Sequence, residues 1–200
     1  GLGFWVGLPW ALKMPLGHLV DLFWRHKALF VYIGAILMAA SLLIMVGLTG
    51  SKDQMARFLS PGTWYVISSL LSPIGFVLQD VVADAMTVEA VPRVTPDGEP
   101  IDAATKRLMH TTMQTLGRVA IIGGSVFVAL LNVLLFDGVE AMPEAAKVAT
   151  YIRIYEYALA IPVISVLGVL LGGWTKWRRL QQLRAQGFAR QEAQDLAFGV

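Results

Sequence analysis

Five long apolar blocks dominate the chain, at about residues 1–23, 29–49, 64–90, 110–136 and 151–174. At about 1.5 Å of rise per residue, each can cross a hydrocarbon core about 30 Å thick as a helix. The second block reads LFVYIGAILMAASLLIMVGL and has no polar face. A helix of a water-soluble bundle needs such a face. Within lipid, the backbone must satisfy its own hydrogen bonds, and an isolated apolar run does so by coiling into an α-helix. The chain therefore reads as an all-α polytopic membrane protein with five transmembrane helices in residues 1–178 and a polar tail at 179–200. Its 56% hydrophobic and 15% charged residues agree, since soluble domains run at about 45–50% and about 25%.

The same sequence excludes several chemistries. There is no Cys, hence no disulfide, thiolate metal site or Cys nucleophile. His18, His26 and His110 lie in separate blocks or links without metal-ligand spacing. No phosphate loop or G-x-S-x-G elbow occurs, so neither an enzyme nor a cofactor or metal site is expected. The net charge of +2 and pI near 9.0 come from basic residues gathered at block ends, which is a topology signal rather than a nucleic-acid one. Ten of them (Arg25, Lys27, Arg93, Lys106, Arg107, Lys176, Arg178, Arg179, Arg184 and Arg190) fall on one side, against at most four on the other. The positive-inside rule then leaves the chain start outside and the tail after residue 175 in the cytoplasm, for an integral protein of the inner or plasma membrane. With Gly1 first and no basic n-region, the chain reads as a fragment rather than a product with a signal peptide.

The links read as a turn-rich loop at 50–63 and an irregular PRVTPDGEP run at 92–100. Asp102 is placed to cap a helix that enters the fourth block through wet first turns. Ser41, Ser68 and Ser125 read as helix-packing residues, and Gly123, Gly124, Gly168, Gly172 and Gly173 as sites of close approach.

Charges inside the blocks are the functional signal, because a carboxylate at membrane depth costs a few kcal/mol on insertion scales. The third block carries Gln79, Asp80, Asp84 and Glu89; Asp80 and Asp84, four apart, share a helix face, and Glu89 falls at the cytoplasmic border. If the third and fourth blocks form a hairpin about residue 99, Asp80 lies level with Arg118 and Asp84 with Gln114. That predicts a buried carboxylate–guanidinium pair. Lys13 lies eight residues before Asp21, about 12 Å deeper, and either snorkels toward a helix end or meets an internal partner or an anionic solute. These five, Lys13, Asp80, Asp84, Gln114 and Arg118, are the expected substrate and proton pathway. Gly17, Asp21, Arg25 and Lys27 follow in order around a short turn. They resemble the gating loop between helices two and three of the major facilitator superfamily.

Three runs carry a closer resemblance: L-P-W-x-L-K-x-x-x-G-x-x-x-D at 8–21, D-V-V-A-D-A-x-x-V-E at 80–89 and M-Q-x-L-G-R at 113–118. Together they resemble the folate–biopterin transporters of the major facilitator superfamily over residues 8–130. The resemblance implies helices two to six of a six-helix amino-terminal half, lacking helix one and the second half. It also implies alternating access and proton-coupled movement of a folate, pterin or similar anionic or heteroaromatic solute. Partners would be the lipid bilayer, the solute and protons, with no nucleic acid. Met14 intervenes before Pro15 and Val20 precedes the loop acid, where the family has Pro directly after the lysine and Ser before the acid. The Gln79-Asp80 pair also resembles the muropeptide and acyl-CoA permease branch. A third alternative is a non-transporting membrane subunit that scaffolds or delivers a pigment or cofactor.

Overall fold

A computed structural model describes residues 11, 13–23, 26–89, 91, 100–187 and 189; of Leu19, Asp21, Thr87, Val88 and Glu89 only the backbone is described. The described residues are nearly all helical and contain no strand. In chain order the helices are α1 (Lys13–Leu22), α2 (Lys27–Gly50), the single turn α3 (Lys52–Met55), α4 (Pro61–Glu89), α5 (Ala103–Phe136), α6 (Glu144–Ala158) and α7 (Ala160–Ala185), with a 3-10 turn at Val139–Ala141. Four stretches are long and apolar enough to cross a membrane: Lys27–Gly50, Pro61–Met86, Ala103–Ala141 and Glu144–Ala185. They cover the last four of the five expected blocks. About half of the first block lies outside the described residues, and α1 is the helix in its described part.

The boundaries have local causes. Asp102 caps α5 as expected, its Oδ1 accepting from the amides of Ala104 and Thr105 at 2.9 Å each. Helix α5 thus begins seven residues before its apolar block and runs for 34 residues, about 51 Å by helical rise. Pro162 stands in the first turn of α7 and offers no N–H to the carbonyl of Ala158, where α6 ends. The fifth block is therefore two helices. They extend it to Glu144 on one side and Ala185 on the other, so the first part of the tail is helical. The loop at 50–63 contains α3, and Trp64 Nε1 donates to the Met55 carbonyl at 3.1 Å, closing that loop on α4. The irregular run at 92–99 lies outside the described residues.

Helix α2 is the hub: α4 packs along it, and α6 and α7 pack on other faces of it. The α2–α4 seam is tight because both backbones present glycine. A Cβ on Gly34 would fall 2.6 Å from the Gly75 carbonyl oxygen, and one on Gly75 would fall 2.5 Å from that of Gly34. Two turns farther along, Ser41 Oγ donates to the Ser68 carbonyl (2.8 Å) and Ser68 Oγ to the Ser41 carbonyl (3.0 Å). Both serines are buried. These hydroxyls join two helices where water cannot compete, which supports the packing role read for them. The glycines read as packing sites behave differently. A Cβ on Gly123, Gly124, Gly168, Gly172 or Gly173 meets nothing within 4 Å. Close approach occurs instead at Gly34 and Gly75, which lie in unbroken apolar runs.

Helix α5 stands apart: none of its residues is buried, and its second half, from Val119 to Phe136, is almost wholly apolar. Leu130, Val133 and Leu134 are among its exposed side chains. Such a surface belongs in lipid or against further protein, not in water.

Candidate functional site

Two stripes on α4 organise the polar groups at membrane depth. Val77, Asp80, Val81 and Asp84 follow the i, i+3, i+4, i+7 spacing and face α1, whose own stripe is Lys13, Leu16, Gly17 and Val20. Val20, Val77 and Val81 are buried where the helices meet, with Leu16 packed against them. Gly17 lets α1 lie close, since a Cβ there would stand 3.9 Å from Val81 Cγ1. Two turns before Val20, the same face of α1 carries Lys13.

Lys13 Nζ lies 2.6 Å from Asp80 Oδ2 and 3.0 Å from Asp84 Oδ2. One ammonium thus bridges two carboxylates that the helical repeat sets one turn apart. The Asp80 side chain is 18% exposed and that of Lys13 37%, while Asp84 at 67% lies on the rim. Asp80 is nine residues from the end of α4, about 14 Å along the axis, and lies within the stretch Pro61–Met86 that is long and apolar enough to cross a membrane. With all three groups ionised the cluster carries one net negative charge. One bound proton brings it to neutral, and withdrawal of Lys13 leaves two carboxylates facing each other.

The expected pairing of Asp80 with Arg118, and of Asp84 with Gln114, is not formed. Arg118 and Gln114 are exposed on α5, which touches α4 only slightly. The equal-depth count assumed that helices consecutive in sequence pack side by side. Here α4 turns its charged face to α1, so Lys13 takes the place assigned to Arg118. Of the residues expected to form a gating loop, Gly17 and Lys27 are described, at the α1–α4 contact and at the start of α2. Arg25 and the Asp21 side chain lie outside the described residues, as does the Glu89 side chain.

The second stripe, Gln79, Val82, Ala83 and Met86, faces away from α1 into a groove between α2, α4 and α7 with a volume of about 650 Å³. Gln79 forms its floor. Its Nε2 donates to the Val31 carbonyl at 3.2 Å, and its Oε1 accepts from Ser165 Oγ at 3.1 Å. A carbonyl can only accept, which fixes the orientation of the amide. Gly34, one turn from Val31, makes room, because a Cβ there would fall 2.8 Å from Gln79 Cγ. Ser165 was invisible as a site residue: a lone Ser in an apolar block has no distinguishing spacing. Neighbours in sequence, Gln79 and Asp80 thus serve different faces, one binding α2 to α7 and the other holding α1.

No protein-family model matches the chain, and neither a curated protein nor a solved structure matches it.

Proposed function

We propose that the chain is the greater part of the amino-terminal half of a secondary active transporter of the major facilitator type. Its sequence motifs resemble those of the folate–biopterin transporters. The observation that carries the reading is Lys13 shared between Asp80 and Asp84 within an apolar helix pair. A scaffold has no need for three ionisable groups in lipid, whereas alternating access depends on pairs that break and re-form. In this reading Asp80 accepts a proton when Lys13 turns to an anionic or heteroaromatic solute, and proton release restores the pair. Arg118 and Gln114, one turn apart on α5, present a second cationic surface to the solute. The start of α2, including Lys27, faces the cytoplasm with the gating turn.

Proteoliposome uptake of labelled folate, pterin, muropeptide and acyl-CoA under an imposed pH gradient tests the proposal, with the whole protein that contains this chain. Asp80→Asn is expected to abolish proton-driven accumulation while sparing solute exchange at equal pH. Lys13→Met is expected to lose both. If both variants keep wild-type accumulation and pH dependence for every transported solute, the assignment of the cluster fails. A pigment co-purifying in stoichiometric amount, without uptake of any solute, would favour the scaffold instead.

A further inference from the structure

Helix α7 is longer than its apolar stretch. That stretch ends at Trp174, but the helix continues to Ala185, 11 residues and about 16 Å farther. The interfacial layer beyond a hydrocarbon core is about 5–8 Å deep on each side. Arg178 and Arg179 follow Trp174 by four and five residues, which sets them about 6 and 8 Å beyond the hydrocarbon, at headgroup level. Arg184 follows it by ten residues, stands about 15 Å out, and clears that layer. No acid lies between Trp174 and Ala185.

The two faces of this extension differ. On one, Leu180 is buried with Leu183 packed against it, and Lys176 lines the groove and is already engaged. On the opposite face Trp174, Trp177, Arg178 and Gln181 follow the i, i+3, i+4, i+7 spacing, and all four are exposed. The Arg178 guanidinium lies over the Trp174 ring, 4.0 Å from its centre. That contact uses the cation and leaves the N–H fork for another acceptor. Among the described residues the Arg178 side chain has no further partner, and those of Arg179 and Arg184 have none. A positioned fork matches a phosphate, which two parallel N–H groups can hold at once. Tryptophan gathers where a helix leaves the hydrocarbon, and the phosphates at that depth are those of lipids.

We infer that the end of α7 binds the headgroup of an anionic phospholipid in the leaflet on the basic side, its phosphate taken by the Arg178 fork that Trp174 positions, with Arg179 adding charge beside it. A zwitterionic headgroup offers a phosphate too, but brings its own cation to it. A basic run without an acid favours the lipid of net negative charge. The site depends on the span and not on transport, so it holds whether or not the chain moves a solute.

Native mass spectrometry tests it on the purified whole protein that contains this chain, titrated with phosphatidylglycerol and phosphatidylcholine of identical acyl chains. Phosphatidylglycerol is expected to bind more tightly. Arg178→Gln combined with Arg179→Gln should weaken it about 25-fold, at about five-fold for each basic residue near an anionic headgroup. Arg184→Gln removes the same charge more than half a Debye length farther out and should change it less than about two-fold. Trp174→Leu keeps every charge and should weaken it about two- to five-fold, by releasing the Arg178 fork. All these positions are exposed, so thermal unfolding in detergent should be unchanged. Equal affinity for the two lipids overturns the inference. A loss from Arg184→Gln as large as that from Arg178→Gln also overturns it, because the attraction would then be diffuse. Unchanged affinity in Trp174→Leu does the same, as does displacement of the lipid by millimolar inorganic phosphate, since the site would then read a free anion.

Discussion

Removing the ammonium of Lys13 is the sharpest test of the charge cluster. Breaking a fully buried ion pair costs about 3–5 kcal/mol, whereas exposed pairs are worth about 0–1 kcal/mol. The 18% exposure of Asp80 puts its carboxylate near the buried limit, and the 37% exposure of Lys13 moves the pair back toward the screened one. Stranding the carboxylate in a spanning helix is bounded by about 2.5–3.5 kcal/mol on insertion scales. Lys13→Met should therefore destabilise the protein by about 2 kcal/mol. Adding Asp80→Asn should recover much of that loss, for a coupling of about 1–2 kcal/mol in a double-mutant cycle. The rim position of Asp84 limits its coupling to Lys13 to below about 1 kcal/mol. The assay is reversible unfolding in bicelles by steric trapping, with Arg118→Met as the control. Arg118→Met and Asp80→Asn should be additive within about 0.5 kcal/mol. Strong coupling of Asp80 to Arg118, with none to Lys13, would refute the arrangement and restore the hairpin pairing.

Two further outcomes follow from the helix contacts and ends. Gly34→Val and Gly75→Val each drive a side chain into the opposing backbone and should cost about 1–3 kcal/mol, whereas Gly123→Ala should be neutral or gain up to about 1 kcal/mol from helix propensity; thermal unfolding in detergent separates them. Hydrogen bonds from Thr105, through its side chain first and then its backbone N–H, hold the Asp102 carboxyl below its ordinary value of 3.8. A depressed acid stabilises the folded cap above its unfolded pKa, and that contribution disappears as pH falls through the lower folded value. Amide exchange at Ala104–Lys106, corrected for intrinsic rates, should lose protection only below about pH 4. Asp102→Asn, an equivalent cap, should remove this pH dependence, and Asp102→Ala should lose the protection at every pH.

Sequence alone determined the helical, membrane-embedded class, because a 20-residue run with no polar face, such as the one beginning at Leu29, has few ways to satisfy its backbone. It also determined the cap at Asp102 and the shared face of Asp80 and Asp84, both consequences of spacing within one helix. It marked Lys13 as a group in need of a partner. The tertiary structure decided who that partner was. Choosing between Lys13 and Arg118 depends on which helix lies against α4, and depth along a helix carries no information about its neighbour. For the same reason Gly34 and Gly75 looked like any other small residues until two backbones met there, while the more conspicuous glycine pairs face open space. Ser165 became legible only as the group that reaches Gln79 across the groove. Periodicity is a property of one helix at a time; the pairing of charges and the position of the groove belong to the packing of several.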